Sequence, residues 1–172
     1  IEYVDMDVFY RISSQLSQLT VLCVRTADDI PINDLWMEPI RKMTQLRELM
    51  WPTPMDTSCF PHLETVCFSF KFDKSTTPWL GNTTLRTLTL QHALEAKNVL
   101  PALTNMSQLT RLTLGGRLNG LEHLLKPISA MTSLESLNLE KRLSLSQPQN
   151  MTDWIQHLPA SIQSLRLYSV FC

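Results

Sequence analysis

The sequence predicts an α/β solenoid, with a parallel sheet lining one face and helices or irregular segments returning along the other. Three observations predict it. A short phrase recurs seven times: an apolar residue, two variable ones, an apolar residue, one variable, and an apolar residue. Its copies begin 27, 17, 22, 24, 25 and 28 residues apart, a repeat period rather than scattered apolar pairs. Between copies, apolar residues fall at three- and four-residue intervals, the spacing of a half-buried helix.

The copies are Leu19-Leu22-Val24, Leu46-Leu49-Trp51, Leu63-Val66-Phe68, Leu85-Leu88-Leu90, Leu109-Leu112-Leu114, Leu134-Leu137-Leu139 and Ile162-Leu165-Leu167. The opening 1–6 segment reads as the strand of an eighth, cut short. The last three positions of each phrase alternate with a period of two, as a strand with one buried face must. The third copy extends this furthest, with Val66, Phe68, Phe70 and Phe72 on one side and Cys67, Ser69 and Lys71 on the other.

Helical returns are predicted over 35–43, 94–106, 121–131 and 151–158, the last with Thr152 or Asp153 as a cap. Pro39, Pro101 and Pro127 fall inside three of these. Each must sit in a first turn, mark a kink or split its segment. The short return after Trp51 holds Pro52, Pro54 and Pro61 and is expected to lack a helix, with irregular curvature there. Gly115 and Gly116 read as a turn after the fifth strand, where little side-chain bulk fits. Strand, return and parallel strand connect with a right-handed crossover. No repeat buries its own apolar side, so neighbours hold the stack together.

On these residues the chain resembles the leucine-rich-repeat superfamily over roughly residues 16–170. The resemblance implies a horseshoe, with the sheet on the concave face and helices or irregular returns on the convex face. Long helical returns resemble the ribonuclease-inhibitor variety. The degenerate phrases, such as 43–49 and 60–66, resemble those of F-box substrate receptors and plant immune receptors. Three residues after the last strand apolar residue, most such families place Asn or Cys. Here those positions hold Ala27, Pro54, Lys71, Ala93, Arg117, Arg142 and Val170, so the side-chain ladder of the turn is missing.

Composition bounds the function. The 172 residues fit a single repeat domain, 1–172, expected to be a fragment of a longer chain whose flanking domains or capping repeats are missing. A net charge of -1 lacks the basic excess of a nucleic-acid binder, and no apolar run approaches a membrane span. Residues 1–86 carry 11 acidic and 8 basic side chains, a balance of -3; residues 87–172 carry 5 and 7, a balance of +2. An elongated stack turns that split into a weak gradient, though chance gives the same numbers.

Outward strand positions form columns about 4.8 Å apart across the sheet. The middle column reads Cys23, Met50, Cys67, Thr89, Thr113, Asn138 and Arg166. Two candidate partner-binding patches follow: an apolar one of Val21, Cys23, Met50 and Cys67, and a polar one of Arg111, Asn138, Arg166 and Tyr168. Arg and Tyr are enriched among energetic anchors of interfaces. Thr, Val and Tyr also favour strands and serve equally in a merely solvated face.

Catalytic chemistry is not expected. There are only four glycines, none in a phosphate-cradling loop, and no nucleophile signature. Cys59, His62 and Cys67 lack a fourth ligand and lie along a strand rather than a closed knuckle, so neither a metal nor another cofactor is expected. His92, His123 and His157 fall at different repeat phases. Cys23 and Cys67 would stand two strands, roughly 9–10 Å, apart, beyond the about 7 Å that a disulfide spans. Cys59 and Cys172 are distant along the stack. Free thiols favour a cytoplasmic setting. Sequons at Asn82, Asn105 and Asn150 point instead to an extracellular one. The function expected is a protein–protein interaction module binding a protein partner on its concave face, in a substrate-receptor or immune or signalling receptor setting. The alternative is a structural subunit of a large stable assembly.

Overall fold

The computed structural model describes residues 11, 15–24, 37–53, 55–71, 84–92, 103, 106–115, 127–140 and 155–168. Seven strands form one sheet: β1 (Val21–Cys23), β2 (Glu48–Trp51), β3 (Thr65–Lys71), β4 (Thr87–His92), β5 (Arg111–Gly115), β6 (Ser136–Glu140) and β7 (Ser164–Leu167). Each lies beside the next in chain order, and every pairing is parallel. Seven consecutive parallel strands, each beside the next, stack as a solenoid of the leucine-rich-repeat type.

The register is that of the repeat phrase. Leu22, Leu49, Val66, Leu88, Leu112, Leu137 and Leu165 pair in an unbroken row. In the five inner copies all three apolar positions are buried, none more than 1% exposed. In the two outer copies Leu19, Val24, Ile162, Leu165 and Leu167 are only partly buried, and among the described strands each has a neighbour on one side alone.

Lead-in turns before β2, β5 and β6 extend the apolar spacing upstream. Met43 donates its amide to Ile40 and Leu46 to Met43; Met106 to Leu103 and Leu109 to Met106; Met131 to Ile128 and Leu134 to Met131. Two successive turns of three residues put an apolar side chain inward at every third position, and all nine of these residues are at most 2% exposed. In the short repeat the same slots hold Thr57, Phe60 and Leu63, with Thr57 fully buried among them. One carbonyl per lead-in then accepts two successive amides of the next: Thr20 from Arg47 and Glu48, Arg47 from Glu64 and Thr65, Glu64 from Arg86 and Thr87. The series continues through Arg86, Thr110 and Glu135. This seam pins the start of every strand to its neighbour, so the register cannot slip without breaking two bonds per step.

The returns are less regular than the strands. Helix α1 (Met37–Arg41) buries Met37, Pro39 and Ile40, and Pro39 lies in its first turn, where no amide donor is needed. Helical backbone also runs over 127–129, with Pro127 at its described start, and over 155–156. Among the described residues of the short return, 52, 53 and 55–64, there is no helix. An Asx turn stands there instead, the Ser58 amide donating to Asp56 Oδ1 at 2.9 Å. The 94–102 stretch with Pro101, the 1–6 segment, Thr152, Asp153 and all three sequon asparagines lie outside the described residues.

The pairing of the third copy is irregular at its end. The β3–β4 register holds through Phe68↔Leu90 but then jumps to Lys71↔His92, a bulge between Phe68 and Lys71. An extra residue against one partner interrupts the regular pairing there, and Phe72 lies outside the described residues. Gly115 is likewise the last residue of β5, paired with Glu140, rather than part of a turn after it.

Candidate functional site

The inward rungs are closed, which leaves the opposite face of the sheet to meet other molecules. Its side chains stand in rows fixed by the register. One row runs Cys23, Met50, Cys67, Thr89, Thr113, Asn138 and Arg166; beside it a second ends in Thr87, Arg111, Ser136 and Ser164.

Toward β5–β7 these two rows line an open depression of about 440 Å³. It is lined by Thr87, Thr113, Glu135, Ser136, Gln163 and Ser164, with Arg111 and Arg166 at diagonally opposite places in the register. Short hydroxyl side chains between two long arginines create the hollow. Asn138 lies within it and donates from Nδ2 to Glu140 Oε1 at 2.8 Å, as side chains two apart on one strand face can. Among the described residues its Oδ1 is buried without a hydrogen-bond partner. The ion pairs between described residues are Lys42–Glu38 at 4.0 Å and Arg47–Glu64 at 2.8 Å, so Arg111 and Arg166 have no carboxylate partner among them.

Three residues of the polar patch read from sequence, Arg111, Asn138 and Arg166, thus meet around one hollow. The fourth, Tyr168, is 57% exposed beyond the end of β7 and does not line it. Glu135 and Gln163 were missed by alternation, which assigns them the buried parity of Leu137 and Leu165. They precede the strands, where the lead-in turn redirects the chain and both are exposed. A carboxylate or amide at a nominally buried position just before the phrase was the available signal.

The apolar patch is less open than its composition implies. Val21 is 50% exposed and Cys23 is exposed, its thiol donating to Met50 Sδ at 3.3 Å. Cys67 shares their face by register but is only 8% exposed, so it adds almost no accessible area. Cys23, Cys59 and Cys67 are free thiols, with Met50 seated between the first and the last. Burial, and then the nearby Asp56 carboxylate, raise the Cys59 thiol above the ordinary cysteine range. Asp56 itself is held below the usual carboxylate range, first by the Ser58 side chain and then by its amide.

Among the described residues no helix is long and apolar enough to cross a membrane, and no group of three or more His, Cys, Asp or Glu side chains could hold a metal ion. No family model and no curated protein sequence matches the chain. Among solved structures it is similar to the crystal structure of an internalin from Listeria monocytogenes, with a TM-score of 0.54 and 17% sequence identity over 91% of this chain. The match covers 44% of the internalin chain, so this chain spans less than half of that protein's length. At that identity the likeness shows the fold, and it agrees with the stacked parallel strands: a leucine-rich-repeat-type solenoid.

Proposed function

We propose that the chain is a protein-recognition module that binds a partner protein across the open face of its sheet, centred on β5–β7. The observation that carries this reading is the hollow between Arg111 and Arg166, polar and unneutralised on a face held rigid by the buried rungs behind it. Binding then works by surface complementarity to a preorganised face, which limits the ordering cost of association. Arg111, Asn138 and Arg166 are the principal contacts, with Tyr168 at the margin and Val21, Cys23 and Met50 as a secondary apolar contact toward β1. The setting proposed is a substrate receptor or an immune or signalling receptor, in the cytoplasm, where the free thiols are stable. No catalytic role, metal or other cofactor is part of the proposal.

The test is affinity capture with three proteins: the wild type, Ser136→Trp, which fills the hollow, and Arg41→Glu with Lys42→Glu, which alters the opposite side of the molecule. The expected result is a partner lost with Ser136→Trp and kept by the charge-reversed return. The reverse pattern would overturn the reading. A structural subunit of a stable assembly is the second reading, favoured by the half-buried Leu165 and Leu167 and by exposed Ile155 at the β7 end. A chain that sediments as a monomer and holds its partner only reversibly counts against it.

A further inference from the structure

We propose that the hollow on the β5–β7 face recognises an acidic peptide segment, with Arg111 and Arg166 clamping its carboxylates. The inference deepens the function proposed above and rests on the strand face being the binding surface.

Four observations converge on a carboxylate-bearing occupant. First, Arg111 and Arg166 stand two strands and two residues apart in the register, their alpha carbons about 12 Å from one another by sheet spacing. A span of that size sets them on either side of a chain laid across the strands. Second, Asn138 ties Glu140 down through its Nδ2, and no carboxylate among the described residues lies within 4.0 Å of either arginine. The lining holds two arginines against one glutamate, Glu135, so the hollow is cationic although the whole chain carries -1.

Third, hydroxyl side chains lie between the two arginines in the lining. Thr113, Ser136 and Ser164 can each donate to a carboxylate oxygen that one arginine leaves partly unsatisfied. Charge-assisted bonds to a planar fork, backed by neutral donors, are the strong and directional kind. Fourth, the hollow of about 440 Å³ is open to solvent and of a size to take a few side chains of an extended segment. The lining contains no aromatic side chain on which a base could stack, which disfavours single-stranded nucleic acid as the occupant.

Binding is measured by fluorescence anisotropy of a dye-labelled peptide of alternating Glu and Gly. The controls are the matched Gln–Gly peptide and a labelled oligothymidine. The Glu peptide is expected to bind best, to weaken as salt is raised, and to lose about tenfold or more in affinity with either Arg111→Ala or Arg166→Ala. Arg111→Lys and Arg166→Lys should restore part of that loss, because a point charge replaces the fork. Circular dichroism of each variant verifies that the sheet is intact; both positions are exposed and off the buried rungs.

Equal binding of the Glu and Gln peptides overturns the inference, as does tighter binding of oligothymidine or an unchanged affinity when both arginines are removed. Its failure is separable from that of the proposed function. A captured partner that is lost with Ser136→Trp but kept by Arg111→Ala plus Arg166→Ala leaves the face reading standing and removes the acidic clamp.

Discussion

Gly115 at the end of β5 sits so close to Gln91 of β4 that a Cβ added to it would lie 2.5 Å from the Gln91 carbonyl oxygen and 3.0 Å from its carbon. The obstacle is backbone, not the tip of a flexible side chain, so relief requires the two strands to part. Gly115→Ala is therefore expected to destabilise the fold by about 1–3 kcal/mol, the range for overpacking a filled site. Urea unfolding of the two proteins checks it. An unchanged midpoint would mean that the β4–β5 spacing relaxes without penalty.

The rungs make a graded prediction. Leu137 is fully buried between β5 and β7, whereas Leu165, its partner in the row, is only partly buried. Leu137→Ala should cost about 2–5 kcal/mol and Leu165→Ala distinctly less, since the outer site already meets water and leaves a smaller cavity. Thermal melts of both variants give the ranking, and equal losses would contradict the partial burial of Leu165.

Thiol reactivity should follow exposure and charge. Cys23 is exposed, Cys59 is half-buried with a raised pKa, and Cys67 is 8% exposed. Thiolate is the reacting form, so a raised pKa slows alkylation in addition to restricted access. Iodoacetamide near neutral pH, followed by peptide mass spectrometry, is expected to label Cys23 first, Cys59 more slowly and Cys67 last. Labelling of Cys67 at the rate of Cys23 would show that β3 opens readily.

Asp56 contributes a pH dependence of known sign. Its folded carboxyl pKa is lowered, chiefly by the Ser58 side chain and then by the Ser58 amide. Folding therefore favours the ionised form. The stabilisation is fully present above the ordinary Asp value of about 3.9 and is lost as the pH falls through the lower, folded value. Asp56→Asn keeps an acceptor for the amide and removes the charge. Its stability deficit, read from urea melts, should be constant from neutral pH to about pH 5 and close on further acidification. A deficit that widens in acid would reverse the assignment.

Much of this molecule was legible one residue at a time. The sequence by itself determined which side chains form the rungs, because burial with a period of two leaves a mark that no other arrangement of Leu22, Leu49, Val66, Leu88, Leu112, Leu137 and Leu165 explains. It likewise determined that Arg111, Asn138 and Arg166 share the outer face, since parity follows once the register of the phrase is known. Only the tertiary structure decided which residues meet across the stack. Arg47 and Glu64 are seventeen positions apart and touch at 2.8 Å only because the seam of shared carbonyls sets adjacent lead-ins side by side. The bulge after Phe68, the near-complete burial of Cys67 and the exposure of Glu135 and Gln163 also depend on where strands begin, slip and turn. Periodicity records which way a side chain faces; what lies opposite it is set by backbone pairing between segments that the local sequence does not encode.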